Sequence, residues 1–181
     1  MIYGVSTSLS VYTHTNHAKT SSGVQRAAAD LALDFGRVTG HNGTLLNLTG
    51  STLPSAHPSL ILIGTVSSPL ISSLITSNKL NVSAIQGQWE SFQTQLVSNP
   101  APGVEQALVI VGADKRGAIY GVYDLSVQMG VSPWYFWADV PTVRRGEVWA
   151  LPGVKVSKSP SVKYRGIFLN DEAPGMFSRF V

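Results

Sequence analysis

The chain has 181 residues, 44% hydrophobic and 13% charged, with no cysteine. That length builds a domain of ordinary size with a real core, and the apolar content, four Trp included, excludes intrinsic disorder. The net charge of +3 comes from basic residues that never run beyond pairs (Lys115-Arg116, Arg144-Arg145), so nucleic acid is not an expected partner, nor is a membrane.

Without cysteine there is no disulfide scaffold, no thiol nucleophile and no thiolate metal site. No apolar run approaches the ~20 residues of a membrane-spanning helix. Met1–Ser10 lacks a basic start and a continuous apolar stretch, so no signal peptide is readable. Three N-x-S/T sequons, at Asn42, Asn47 and Asn81, permit glycosylation but arise readily by chance in a chain this rich in Ser and Thr.

In chain order, Ile2–Val11 reads as a leading strand. Val24–Thr39 carries an apolar stripe (Val24, Ala27, Ala28, Leu31, Phe35, Val38) that predicts a helix. Ser22 and Gln25 form a capping box, Arg26 and Asp30 pair on its wet face, and Gly40 ends it. Leu60–Gly64 reads as a buried strand and Pro69–Ser77 as a weaker helix. Strands follow at Ser91–Val97 and Gln106–Val111, with a hairpin near Pro100–Gly103. Of 34 Ser and Thr residues, 27 precede position 101, while 16 of 23 charged residues follow it. Neither half has core enough alone, so both are read as one domain.

Lys115–Met129 predicts a second strong helix, capped by Asp114, ended by Gly130 and seamed by Ala118, Val122, Leu125 and Met129. Gly117 and Gly121 are unfavourable inside a helix, and their spacing places both on one face where a sheet could approach closely. Beyond it, Ser132–Pro141 is an aromatic loop bounded by prolines, Val154–Ser157 a short strand, and Val162–Glu172 an apolar strand ending in three polar residues. The pattern is α/β: a mixed sheet with the two strong helices on one face.

Several groups invite chemistry. His14 and His17 have a metal-like spacing, but no third ligand is evident, and His41 and His57 lie in Gly- or Pro-rich stretches; surface histidines are the simpler reading. Gly112–Gly117 follows a strand and opens a helix, the geometry that binds phosphate, yet it matches neither nucleotide fingerprint, and Asp114 at the cap repels anions. No G-x-S-x-G elbow occurs. Trp134 and Trp137, with Tyr135 and Phe136 between them, serve either as a sugar-stacking platform or as a hydrophobic plug against a following domain. Asn170, Asp171 and Glu172 end an apolar strand, where α/β sheets and barrels place functional groups; a helix cap before Pro174 accounts for them equally well.

Three long motifs resemble glycoside hydrolase family 115: Gly112–Ser126, Gly130–Pro141 and Tyr164–Glu172. Gly23–Leu31 resembles the amino-terminal domain of the family's fungal members, so the match runs over about 23–181. The resemblance implies a xylan α-1,2-glucuronidase that removes 4-O-methylglucuronic acid from glucuronoxylan by inversion, without an organic cofactor or metal. It also implies an extracellular enzyme and, for a full-length relative, a homodimer. The implied organisation is an uncertain segment 1–22, then an α/β accessory domain over 23–157, like the second domain of β-hexosaminidases. The first strand of a (β/α)₈ barrel follows over 158–181. A barrel needs ~200 residues or more, and only 18 remain from Tyr164 onward. The family's acid and base are therefore expected beyond Val181 and activity is not expected of this chain alone; the implied substrate contacts are Asn170, Asp171, Glu172, Trp134 and Trp137. A stand-alone carbohydrate-binding module and a nucleotide-binding domain are the alternatives.

Overall fold

The computed structural model describes residues 3–5, 10–14, 22–48, 53 and 59–168. Its centre is a six-stranded mixed sheet. In chain order the strands are β2 (Ser10–His14), β3 (Thr44–Leu48), β4 (Ser59–Thr65), β5 (Phe92–Ala101), β6 (Val104–Gly112) and β8 (Val154–Ser157). Their order across the sheet is β3-β2-β4-β6-β5-β8. The first four in that order run parallel, and β5 is antiparallel to both β6 and β8. Two further strands, β1 (Tyr3–Val5) and β7 (Val148–Ala150), form a separate antiparallel pair.

Adjacent residues of a strand point to opposite faces, and in the central strands β2, β4 and β6 both faces are buried. Ile61 and Ile63 of β4, with Val11 and Ile110, pack beneath α1 (Ser22–Thr39) and α3 (Lys115–Met129). Leu60 and Leu62, with Tyr12, Val109 and Val111, pack beneath α2 (Pro69–Thr76) and the stretch holding Leu80, Val82 and Ile85. The two strong helices do share one face, as their stripes predict.

Helix ends follow the sequence signals with one change. Arg26 and Asp30 pair at 3.1 Å, and Gly40 takes φ +89°. The capping box, however, does not place Ser22 outside the helix: Ser22 is its first residue. At the other helix, Gly130 adopts a left-handed φ of +113°, as its terminating role requires.

The hairpin forms with Gly103 at φ +79° in the turn, and β5 runs four residues further than the strand predicted there. The single leading strand of Ile2–Val11 is replaced by β1 and β2, of which β2 lies inside the main sheet. β3 has no counterpart in the sequence reading. The stretch read as a buried strand at Val162–Glu172 is corrected in its described part. Residues 162–168 join no sheet, and Val162, Tyr164, Ile167 and Phe168 are exposed because no neighbouring strand or helix covers them. Among the described residues no helix is long and apolar enough to cross a membrane.

Candidate functional site

The carboxyl edge of the parallel strands is where open α/β sheets place their sites. Here β6 ends at Gly112, turns, and starts α3. A Cβ on Gly112 would lie 2.1 Å from the Ala118 nitrogen, so only glycine permits the helix to begin this close. Asp114 caps the helix, its Oδ1 accepting from the Gly117 N–H at 2.8 Å while Oδ2 accepts from the Glu90 N–H at 2.8 Å. Gly117 and Gly121 are indeed points of close approach. A Cβ on Gly117 would meet the Ser91 carbonyl oxygen at 2.1 Å, and one on Gly121 would meet Ile110 Cγ2 at 2.6 Å. The helix terminus that the nucleotide-binding reading needs is therefore filled by its own carboxylate and packed against the backbone of β5's approach. A phosphate has no room and no free donors at Gly117.

Beside this turn lies a cluster of charges centred on Glu90. The Glu90 side chain is 7% exposed, on a backbone at φ +55° that non-glycine residues rarely adopt. Arg116 Nη1 approaches its Oε1 at 2.9 Å, and Arg165 Nη2 donates to Oε2. The Arg165 guanidinium also donates to Tyr120 Oη at 3.0 Å and lies 5.8 Å from the Trp89 ring centre. Its hydrogen bond with Glu90 raises the guanidinium pKa further above its usual value, so it stays charged. Sequence reasoning singled out neither partner as a site. Glu90 and Arg165 stand 75 positions apart, and no local pattern joins them.

The aromatic loop folds into a one-turn helix, α4 (Tyr135–Ala138), closed by Asp139 at φ +52°. Arg37 of α1 lies 4.8 Å over the Tyr135 ring, anchoring one side. Trp134, Phe136 and Trp137 face outward at 60%, 78% and 54% exposure. Phe136 and Trp137 meet edge-on at 5.4 Å. This is an open aromatic surface with no domain of the described chain upon it.

At the opposite edge of the sheet, a cleft of about 400 Å³ opens between α1, α3 and the stretch 148–155 that holds β7 and the start of β8. Phe35, Leu108, Leu125, Met129 and Trp149 supply most of its wall, and no Asp or Glu lines it. Glycoside hydrolysis needs a pair of carboxyl groups, so this cleft lacks the chemistry for it.

The other sequence candidates are dispersed. His14 ends β2 and His41 sits in the loop after α1, while His17 and His57 lie outside the described residues. No group of three His, Asp or Glu side chains suited to a metal ion occurs among the described residues. Asn42, Asn47 and Asn81 are exposed, although Asn47 Oδ1 accepts from Thr13 Oγ1 at 2.5 Å. Asn170, Asp171 and Glu172 lie outside the described residues.

No family model matches the chain and no curated protein matches it. Among solved structures, it is similar to a family GH115 4-O-methyl-alpha-glucuronidase with specificity for decorated arabinogalactans, at 26% identity and a TM-score of 0.69. That match covers 95% of this chain and 20% of the other. CpGH84D is a more distant match, with 14% identity and a TM-score of 0.45 over 71% of this chain and 19% of its own. The chain thus spans about one fifth of the length of these proteins. The resemblance read from the three motifs extends to three dimensions.

Proposed function

We propose that this chain forms the amino-terminal α/β part of an α-glucuronidase of the family 115 type. Such an enzyme hydrolyses (4-O-methyl)glucuronic acid side chains from a plant polysaccharide by inversion. The observation that carries the reading is the similarity over 95% of the chain to a GH115 glucuronidase at 26% identity. In this reading the six-stranded sheet is an accessory domain of the kind that precedes the barrel of β-hexosaminidases. Residues 158–181 lead into the barrel, with Asn170, Asp171 and Glu172 at its substrate end. A polymeric substrate does not cross a membrane, which supports an extracellular location. Glucuronoxylan is the substrate implied by the motifs; the solved relative's specificity for decorated arabinogalactans makes that polymer the competing choice.

The chain by itself is proposed to be inactive. An inverting mechanism holds two carboxyl groups ~6.5–9.5 Å apart across the scissile bond, and the cleft between α1 and α3 has no acid in its wall. Incubating the purified 181-residue chain with glucuronoxylan and with glucuronic-acid-decorated arabinogalactan tests this. No uronic acid is expected in either; release that scales with protein concentration would overturn the assignment of a non-catalytic role.

A second reading, carbohydrate binding by the chain itself, is favoured by the exposure of Trp134 and Trp137. Sugar faces stack on such rings. Titration with glucuronoxylan oligosaccharides, followed by tryptophan fluorescence, should show saturable quenching that Trp137→Ala removes; a flat titration would eliminate this reading.

A further inference from the structure

We propose that Glu90 is a positioning residue, whose buried carboxylate captures Arg165 and so fixes where the chain bearing Asn170, Asp171 and Glu172 leaves the α/β domain. Residues 162–168 lie in no strand or helix and are exposed throughout. Apolar packing therefore does not hold them. Arg165 is the exception within this stretch. Its guanidinium reaches Glu90 and Tyr120, lies against the Trp89 and Tyr120 rings, and donates back to the Val162 carbonyl, which folds the segment around its own anchor.

The receiving side is built to stay in place. Glu90 is tied through its N–H to Asp114, the residue that caps α3, and its neighbour Ser91 accepts from the Ala113 N–H at 3.0 Å. Arg116 holds the other carboxylate oxygen at 2.9 Å. A carboxylate this buried needs pairing to stay ionised, and Arg116 alone, 59% exposed, leaves one oxygen to Arg165. Glu90 takes its left-handed backbone two residues before β5 begins at Phe92.

Reach turns this contact into a constraint. A chain spans at most ~3.3–3.6 Å per residue, so the three polar residues lie within roughly 17–25 Å of the Arg165 Cα. What the latch positions rests on the function proposed above. That the latch exists does not, since neither measurement below involves a sugar.

The first measurement is digestion of the full 181-residue chain by an arginine-specific protease, with products read by mass. Arg165 must leave Glu90 to enter such a protease, so cutting after Arg165 should lag behind cutting after exposed Arg144 and Arg145. In Glu90→Gln the lag should vanish, with cleavage after Arg165 faster by about tenfold when local release is no longer opposed. The unfolding midpoint in urea verifies that the variant is folded. The second is hydrogen exchange of the peptide covering 159–168 in Arg165→Met, which alters a side chain outside both cores. Amides of 162–168 should exchange faster than in the unmodified chain. Unchanged cleavage after Arg165 in folded Glu90→Gln, or unchanged exchange in Arg165→Met, would overturn the latch. If Glu90→Gln does not fold, the exchange measurement decides.

Discussion

Residues 10–131 and residues 132–168 are both rich in large apolar side chains, and they treat them in opposite ways. In the first region Leu62, Ile63, Val109 and Ile110 are fully buried. In the second, Trp134, Phe136, Leu151, Tyr164, Ile167 and Phe168 are all exposed, Phe168 at 90%. Hydrophobicity is therefore not what decides burial here. The early strands are sandwiched between helices on both faces, whereas these later side chains lie outside that sandwich, even though β8 joins the edge of the sheet and Val148 packs on the core. Stability should reside in the first region, and whatever this molecule docks against should meet the second.

The contrast can be broken most decisively by truncation. Leu62→Ala removes a fully buried side chain and should cost about 2–5 kcal/mol in urea unfolding. A cost near zero would mean that the sheet is not the stabilising unit. Next comes Gly117→Ala, which drives a Cβ to 2.1 Å from a backbone carbonyl and should cost about 1–3 kcal/mol. If the loss is smaller than for Tyr123→Leu on the same helix, α3 does not pack as closely on Ser91 as described.

Phe136→Ser and Phe168→Ala probe the other side of the comparison. Each should change the urea midpoint by no more than about 0.5 kcal/mol equivalent, as exposed sites do. Phe136→Ser should also lower binding of a hydrophobic dye; an effect on stability as large as that of Leu62→Ala would erase the distinction between the regions.

The smallest effect belongs to Tyr123, which bridges α3 to α1 by donating to Asp30 at 2.9 Å. Burial and that hydrogen bond push its pKa up from 10.0 to about 12. A raised pKa means the folded state retains the proton longer. The bond's contribution is thus fully present below pH 10 and is lost as the pH climbs through about 12. Burial raises Tyr12 as well, so absorbance titration should show late-ionising tyrosines whose number falls by one in Tyr123→Phe; an unchanged late phase in that variant would remove Tyr123 from the helix interface.

What the sequence disclosed depended on periodicity. The stripes of α1 and α3, the unbroken apolar run of β4 and the Pro-Gly hairpin all carry local signals, and each element is present. β3 escaped because it is an edge strand whose residues are half-buried or exposed, so Thr44–Leu48 shows no alternation to read. β2 was hidden in a polar run of Ser, Thr and His whose burial comes from its neighbours on both sides. The aromatic surface was legible as composition but not as a helix, since one turn has no period. The Glu90–Arg165 pair was illegible for a different reason: it joins two unremarkable stretches through space alone.

The placement of β7 and β8 has a consequence for how the chain emerges during synthesis. β5 has β6 as a partner at once through the hairpin, but its other edge is unpaired until β8 is made, after all of α3. β1 waits equally long for β7. At translation rates of about 5–20 residues per second, the outer edge of β5 stands open for several seconds on a nascent chain. An open strand edge is a template for pairing with another polypeptide. The arrival of β7 and β8, each pairing with a strand made earlier, thus acts as a late closing step, and the interval before it is when this protein is most exposed to wrong partners on the ribosome.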